Sequence, residues 1–206
     1  VVTPVHRNGR AIGLFACTSH VVDVGGLGFT ADGREVYEEG LNVPIMPLFD
    51  RGKANEVLLR IVRANVREAM QVEGDLYSLA ACNEIGARRL LETMDEFALD
   101  DIEEVSEHII AASEASMLEA IRALPYGTFT NSMRVDGHER EIDLVATLTI
   151  SESGIDVDFT GTSIVSDLGI NVPLTYTQAY ASFGVRCIVG SSIPNNAGAL
   201  APVRVT

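Results

Sequence analysis

A change of period along the chain limits the fold more than any other feature. From Ala54 to Ala123 apolar residues return every three or four positions, the repeat of one helix face. From Phe129 onward they return every second position, the repeat of a strand. The first texture predicts three helices. One begins near Ala54, carries Val57, Leu58, Ile61, Val62, Asn65, Val66 and Met70 on one face, and ends at Gly74. Asp75 caps the second, which carries Leu76, Leu79, Ala80, Leu90 and Met94. The third opens at Asp100-Asp101, has Glu103 and Glu104 in its first turn where the helix dipole favours them, and stops at Pro125 and Gly127. The second texture predicts strands over 129–135, 141–150 and 154–159, with Ile142, Leu144, Ala146, Leu148 and Ile150 alternating with more polar neighbours. A further helix is expected over 174–189.

Ahead of the helices, residues 1–5 and 11–16 flank Arg7-Asn8-Gly9-Arg10, and Asn-Gly is a strong two-residue hairpin signal. Residues 25–50 read as irregular. Strands and helices are segregated, so the expected class is α+β: a β-hairpin at the start, a run of three helices, then an antiparallel meander with a further helix. The natural divisions are 1–50, 51–124 and 125–206. The first residues already read as strand, the last end in another extended stretch, and there is no initiator Met. The sequence thus reads as a piece of a longer chain.

Charge narrows the partners. Fifteen Lys and Arg stand against 29 Asp and Glu, a formal net charge of −14. That balance disfavours nucleic acid and anionic membrane surfaces, both of which select clustered cations. With 47% hydrophobic residues the 206-residue chain can bury a core. No apolar run approaches the roughly 20 residues of a membrane span, and no secretory leader is evident. Cys17, Cys82 and Cys187 are odd in number and lack C-x-x-C spacing. They are expected as small buried hydrophobes in a reducing, cytoplasmic setting, not as a zinc cluster or a disulfide framework.

Several constellations can carry chemistry. In His20-Val21-Val22-Asp23-Val24-Gly25-Gly26, an imidazole and a carboxylate lie three residues apart at a strand-to-loop bend. Both are good ligands for Zn²⁺ or Mn²⁺. The alternative is a His-Asp pair that stabilises a glycine-rich turn by hydrogen bonding. Asn65 on a helix face needs hydrogen-bond partners and either holds a loop or meets substrate. Arg67 is expected to pair with Asp75 or with an acidic ligand. Asp158, in Asp158-Phe159-Thr160-Gly161-Thr162, either caps a turn or faces a cleft. His6 and His138 sit beside turns and are expected to be exposed; His108 lies in an acidic helix and is expected to be solvated or paired with Glu104. Neither a nucleophile elbow nor a phosphate loop is present.

The order of the short motifs adds to this. His20-x-x-Asp23-x-Gly25-Gly26 is followed by Glu39-Gly40-Leu41-Asn42-Val43-Pro44, Asn65-Val66-Arg67, Gly74-Asp75-Leu76 and Leu124-Pro125-Tyr126-Gly127. Then come Val157-Asp158-Phe159-Thr160-Gly161-Thr162, Ile170-Asn171-Val172-Pro173 and Pro194-Asn195-Asn196-Ala197-Gly198. This series resembles the hydantoinase B/5-oxoprolinase family over essentially the whole chain. That family includes the B-type component of N-methylhydantoinase and the alpha-type subunits of acetone and acetophenone carboxylases. The resemblance implies an internal fragment, 1–206, of a hydantoinase B-type subunit in a hetero-oligomeric enzyme, with ATP bound by a hydantoinase A-like partner subunit. It implies ATP-dependent opening of a cyclic amide (a hydantoin, a lactam or 5-oxoproline) or ATP-dependent carboxylation of a ketone. A non-catalytic scaffold that docks the ATP-binding partner is the alternative of another class. The resemblance also implies a divalent metal, Zn or Mn, with His20 and Asp23 as ligands and further ligands from a stretch upstream of Val1. Asn65, Arg67, Asp75, Asp158 and Asn171 are its candidate substrate-binding or structural residues. Many relatives carry two adjacent histidines where this chain has His20-Val21.

Overall fold

The computed structural model describes all 206 residues. Asn8 and Gly9 take positive φ, 52° and 78°, and so form the tight turn between β1 (Val2–Arg7) and β2 (Arg10–Ala16), paired antiparallel as the Asn-Gly signal predicts. The chain divides into two units, Val1–Ile102 with Asp167–Ile170, and Glu103–Ser166 with Asn171–Thr206.

In the first unit β2 runs into a long irregular stretch that ends at a two-residue ribbon, β3 (Phe49–Asp50) with β4 (Lys53–Ala54). Asn55 caps α1 (Glu56–Asn65): its side-chain oxygen accepts the Leu58 N–H at 3.2 Å, and its amide reaches back to the Pro47 carbonyl. Leu58, Val62 and Val72 are buried, with Leu41, Leu48, Val66 and Leu76 packed around them. The second helix, α2, spans Ala69–Glu96. The break between α1 and α2 therefore falls at Val66-Arg67-Glu68 and not at Gly74. Val66 is extended (φ −115°, ψ 152°), so α1 stops there. Gly74 and Asp75 lie inside α2, where a single Gly costs about 1 kcal/mol relative to Ala but need not stop a helix that packs well on either side. A bidentate Arg63–Glu73 ion pair, with both contacts at 2.6 Å, ties the two helices together.

In the second unit α3 (Glu103–Arg122) opens on Glu103 and Glu104 as expected. It is followed by β5 (Gly127–Val135), β6 (Ile142–Ser151), β7 (Gly154–Asp158), α4 (Leu174–Val189), a single turn α5 (Ala197–Leu200) and β8 (Val203–Val205). The sheet order is β5-β6-β7-β8. The first three strands form the expected antiparallel meander, and β8 adds a parallel edge beside β7. Directly paired residues share a face, so Leu148, Val157 and Val205 line one side, with Ile150, Ile155 and Val203 beside them. Met117 and Ile121 of α3 and Ala181, Val185 and Val189 of α4 close that core. The other side is polar: Thr128 meets Thr149, Thr130 meets Thr147, and Arg204 forks onto Asp156. No helix is long and apolar enough to cross a membrane.

Candidate functional site

The stretch between β2 and β3 holds His20 and Asp23, and its course is set by contacts that only glycine permits. Gly26 and Gly40 have φ of 61° and 115°. A Cβ on Gly26 would run into the Glu38 carbonyl and the Gly40 nitrogen, and one on Gly40 into the Val24 carbonyl. Leu27 N–H donates to the Glu38 carbonyl at 2.9 Å, and Leu41 N–H to the Val24 carbonyl at 2.7 Å. Segments 24–28 and 38–41 are thus laced together at backbone distance. Gly25 in turn abuts the Asn65 carbonyl at the end of α1; a Cβ there would lie 2.6 Å from it.

Asp23 fastens this loop to the start of α2. Its Oδ1 accepts the Gly25 N–H at 3.0 Å and Arg67 Nη1 at 2.8 Å, and its Oδ2 accepts the Arg67 backbone N–H. Arg67 Nη2 donates to the Gly26 carbonyl at 2.7 Å. The backbone N–H of Arg67, then that of Gly25, and then the guanidinium charge hold the Asp23 carboxyl below the usual aspartate range. The side chain of Asp23 is 10% exposed and that of Arg67 63% exposed. The guanidinium therefore closes over the carboxylate from the solvent side.

The other candidates fall in different places. His20 is exposed. Asn65 is also exposed, and its amide returns to the Ile61 carbonyl of its own helix at 2.7 Å. Arg67 pairs with Asp23, and Asp75 is half-buried inside α2. Asp158 caps a turn: its Oδ1 accepts the Thr160 N–H at 2.8 Å, and the Thr160 hydroxyl, then that N–H, lowers its pKa. Asn171 closes the loop after it, accepting the Ser166 N–H and donating to the Ser166 carbonyl. Asp158 and Asn171 belong to the second unit and the other five to the first. The structure brings together Asp23, Arg67 and the backbone of Asn65. Sequence reasoning missed Glu38 and Gly40 as builders of this loop, although Glu39-Gly40-Leu41 was a visible motif. His6, His108 and His138 are exposed as expected. The cysteines differ from expectation: Cys82 and Cys187 are exposed and only Cys17 is half-buried.

A cavity of about 620 Å³ lies in the first unit beside the loop. Val21, Val24, Leu41, Leu58, Val62 and Val72 are among its lining residues, and none of the lining side chains is charged. A space of this size and polarity suits a small, neutral, largely apolar molecule.

A Zn²⁺ or Mn²⁺ site needs at least three protein donors. No group of three or more His, Cys, Asp or Glu side chains able to hold a metal gathers in this structure. Both oxygens of Asp23 are already engaged by hydrogen-bond donors. The residues present do not by themselves make up a metal centre.

The fold and the loop define an α+β chain of two units, its main polar constellation carried on a glycine-laced loop and braced by one helix start. All of it, residues 1–206, matches the hydantoinase B/oxoprolinase family. A Pseudomonas sp. (strain NS671) protein, described as the B-type component of a D-/L-hydantoinase, is 30% identical over 163 residues, covering 75% of this chain and 28% of that protein. The beta chain of the caprolactamase of Pseudomonas jessenii is 26% identical over 132 residues, covering 63% of this chain and 23% of that protein. Among solved structures, the ATP-dependent caprolactamase of Pseudomonas jessenii superposes with a TM-score of 0.89 at 22% identity, over 100% of this chain and 36% of that one. A nucleotide-free acetone carboxylase gives 0.81 at 16% identity, over 98% of this chain and 29% of that one. The chain belongs to the hydantoinase B/oxoprolinase family. It spans about a quarter to a third of the length of these relatives.

Proposed function

We propose that the chain is part of a hydantoinase B-type subunit in an ATP-dependent enzyme that opens a cyclic amide. The observation that carries this reading is the similarity to two proteins named for such reactions, a hydantoinase and a caprolactamase component, within a family match over the whole chain. A lactam or hydantoin is a resonance-stabilised amide, so water attacks it slowly. Transfer of the terminal phosphoryl group of ATP to the amide oxygen releases ADP and removes that resonance; water then adds to the carbon, the C–N bond breaks to free the amine and leave an acyl phosphate, and a second water releases inorganic phosphate and the carboxylate. In this reading ATP is held by a hydantoinase A-like partner subunit. The neutral, apolar cavity beside the loop is compatible with a ring substrate that carries no charge.

His20 is proposed as this segment's share of a Zn or Mn site whose other donors would lie outside residues 1–206, whereas Asp23, with both carboxylate oxygens taken by Gly25 and Arg67, holds the loop. The imidazole of His20 is exposed and so within reach of such donors. Metal analysis of the full-length protein with and without His20→Ala tests that share, and equal metal content in both overturns it.

The test of function is the reconstituted complex of the full-length protein with its ATP-binding partner. ADP release that depends on a hydantoin, a lactam or 5-oxoproline, with the ring-opened acid as product, is the expected result. The similarity to acetone carboxylase supports a second reading, ATP-dependent ketone carboxylation. Acetone or acetophenone with bicarbonate is therefore the parallel assay, and turnover there alone replaces the first reading with the second. The complex failing on every substrate while binding its partner leaves the scaffold role.

A further inference from the structure

We propose that Cys17 and Cys82 form a redox-active dithiol: peroxide closes it to a disulfide that locks the strand leading into the His20–Gly26 loop onto α2. This rests on the geometry of the first unit and is independent of the reaction proposed above.

Residues two apart on a strand share a face, and residues four apart on a helix share a face. Phe15 in β2 and Cys17 just after it are two apart; Cys82 and Gly86 in α2 are four apart. The two faces meet. Phe15 packs so closely on Gly86 that a Cβ there would lie 2.6 Å from the ring. One step along, the carbonyl of Val1 accepts both the Cys17 N–H at 2.9 Å and the amide of Asn83, the neighbour of Cys82, at 3.1 Å. Asn83 is 2% exposed and bonds the Thr3 hydroxyl as well, so this junction is fixed. The Cys17 and Cys82 side chains are hydrogen-bonded to each other across it, which raises the Cys17 pKa.

Access completes the case. Cys82 is exposed and Cys17 is half-buried. The Cys82 thiolate attacks hydrogen peroxide, breaking its O–O bond to give a sulfenic acid and one water. The Cys17 sulfur then attacks the Cys82 sulfur, and the proton it has held toward Cys82 leaves with the displaced hydroxyl as a second water. Both thiols lose a hydrogen, two electrons pass to the peroxide, and one S–S bond forms. The bond ties residue 17, three positions before His20, to the middle of α2. Cys187 is exposed on the other unit and serves as an internal control.

The experiment uses the full-length protein, fully reduced, titrated with hydrogen peroxide, alkylated and mapped by mass spectrometry without reduction. The expected result is a Cys17–Cys82 linked peptide as the dominant product, reversed by dithiothreitol. Cys82→Ser leaves Cys17 fully alkylatable, and Cys187→Ser leaves the link unchanged. Hydrogen exchange of residues 18–26 slows in the oxidised protein. Cys17 and Cys82 remaining alkylatable, advancing to sulfinic acid without a link, or Cys82 linking to Cys187 would each overturn the proposal. If Cys82→Ser does not fold, the map of the unmutated protein decides alone.

Discussion

At the scale of the residue, Asp23 shows how one side chain is committed. Three donors converge on its carboxylate, and its pKa is lowered because they favour the charged form. A group whose folded pKa lies below its unfolded value of about 3.9 stabilises the fold above that value, and the contribution is lost as pH falls through the folded pKa. Asp23→Asn should therefore lower the urea midpoint at neutral pH, with the gap to the unmutated chain narrowing at about pH 3. Denaturation followed by circular dichroism at both pH values checks this; a gap of constant size would mean that the charge of Asp23 does not matter. The glycines of the same loop separate conformation from space. Gly28 has φ 81° with nothing near its missing side chain, so Gly28→Ala should cost only the left-handed strain, about 1–2 kcal/mol. Gly26→Ala adds a backbone collision and should cost roughly 2–4 kcal/mol. The two melting curves, compared side by side, test whether close packing or flexibility selects these glycines.

At the scale of the element, three glycines in helices behave differently because their neighbours differ. Gly74 in α2 and Gly184 in α4 face open space, so Ala at either should stabilise by about 0.5–1 kcal/mol through helix propensity. Gly86 in α2 lies under the Phe15 ring, and Gly86→Ala should destabilise by roughly 1–3 kcal/mol. Chemical denaturation of the three variants gives the signs. Gly74→Ala failing to stabilise would mean that α2 is interrupted there after all. The same position shows where sequence reading worked and where it failed. The hairpin, the meander strands and α4 were legible because Asn8-Gly9, the alternation of β6 and the span of α4 each carry their own local signal. The α1–α2 boundary was not, because no local breaker marks Val66-Arg67: the turn is held by Asp23, far away in sequence. The candidate site was legible in the same uneven way. Asp23 and Arg67 were both singled out, but their pairing is a tertiary fact with no spacing signature. The motif Pro194-Asn195-Asn196-Ala197-Gly198 was visible and its role was not. Asn196 caps α5 and donates to the buried Ser113, and Gly198 lets that turn rest on the α3 backbone.

At the scale of the whole molecule, exposure is the informative quantity. The chain presents 14273 Å² to solvent, well above the roughly 11,000 Å² that area–mass scaling gives for two separate domains of this combined size. The excess includes large apolar side chains. Phe29 and Ile45 are fully exposed on the loop that carries Asp23, and most of Tyr37 on that loop, of Met70 in α2 and of Ile164, Val165 and Ile188 in the second unit is exposed as well. Soluble monomers rarely present so many large apolar groups, and an irregular connection as long as that between β2 and β3 is usually a binding or functional loop. The relatives, nearly three times as long, have further chain available to cover such surface. A preparation limited to residues 1–206 should therefore enhance the fluorescence of the dye 8-anilinonaphthalene-1-sulfonate strongly and self-associate as its concentration rises, whereas the full-length protein in complex with the ATP-binding partner proposed for it should do neither. Replacing Phe29 and Ile45 together with Ser should reduce both effects in the short chain while leaving its melting temperature nearly unchanged, since neither side chain is packed. Dye titration and sedimentation velocity on the three samples measure this. Equal dye binding by the short chain and the assembled complex would show that the apolar loop stays open to solvent in the complex, and would remove the case for its being a covered surface.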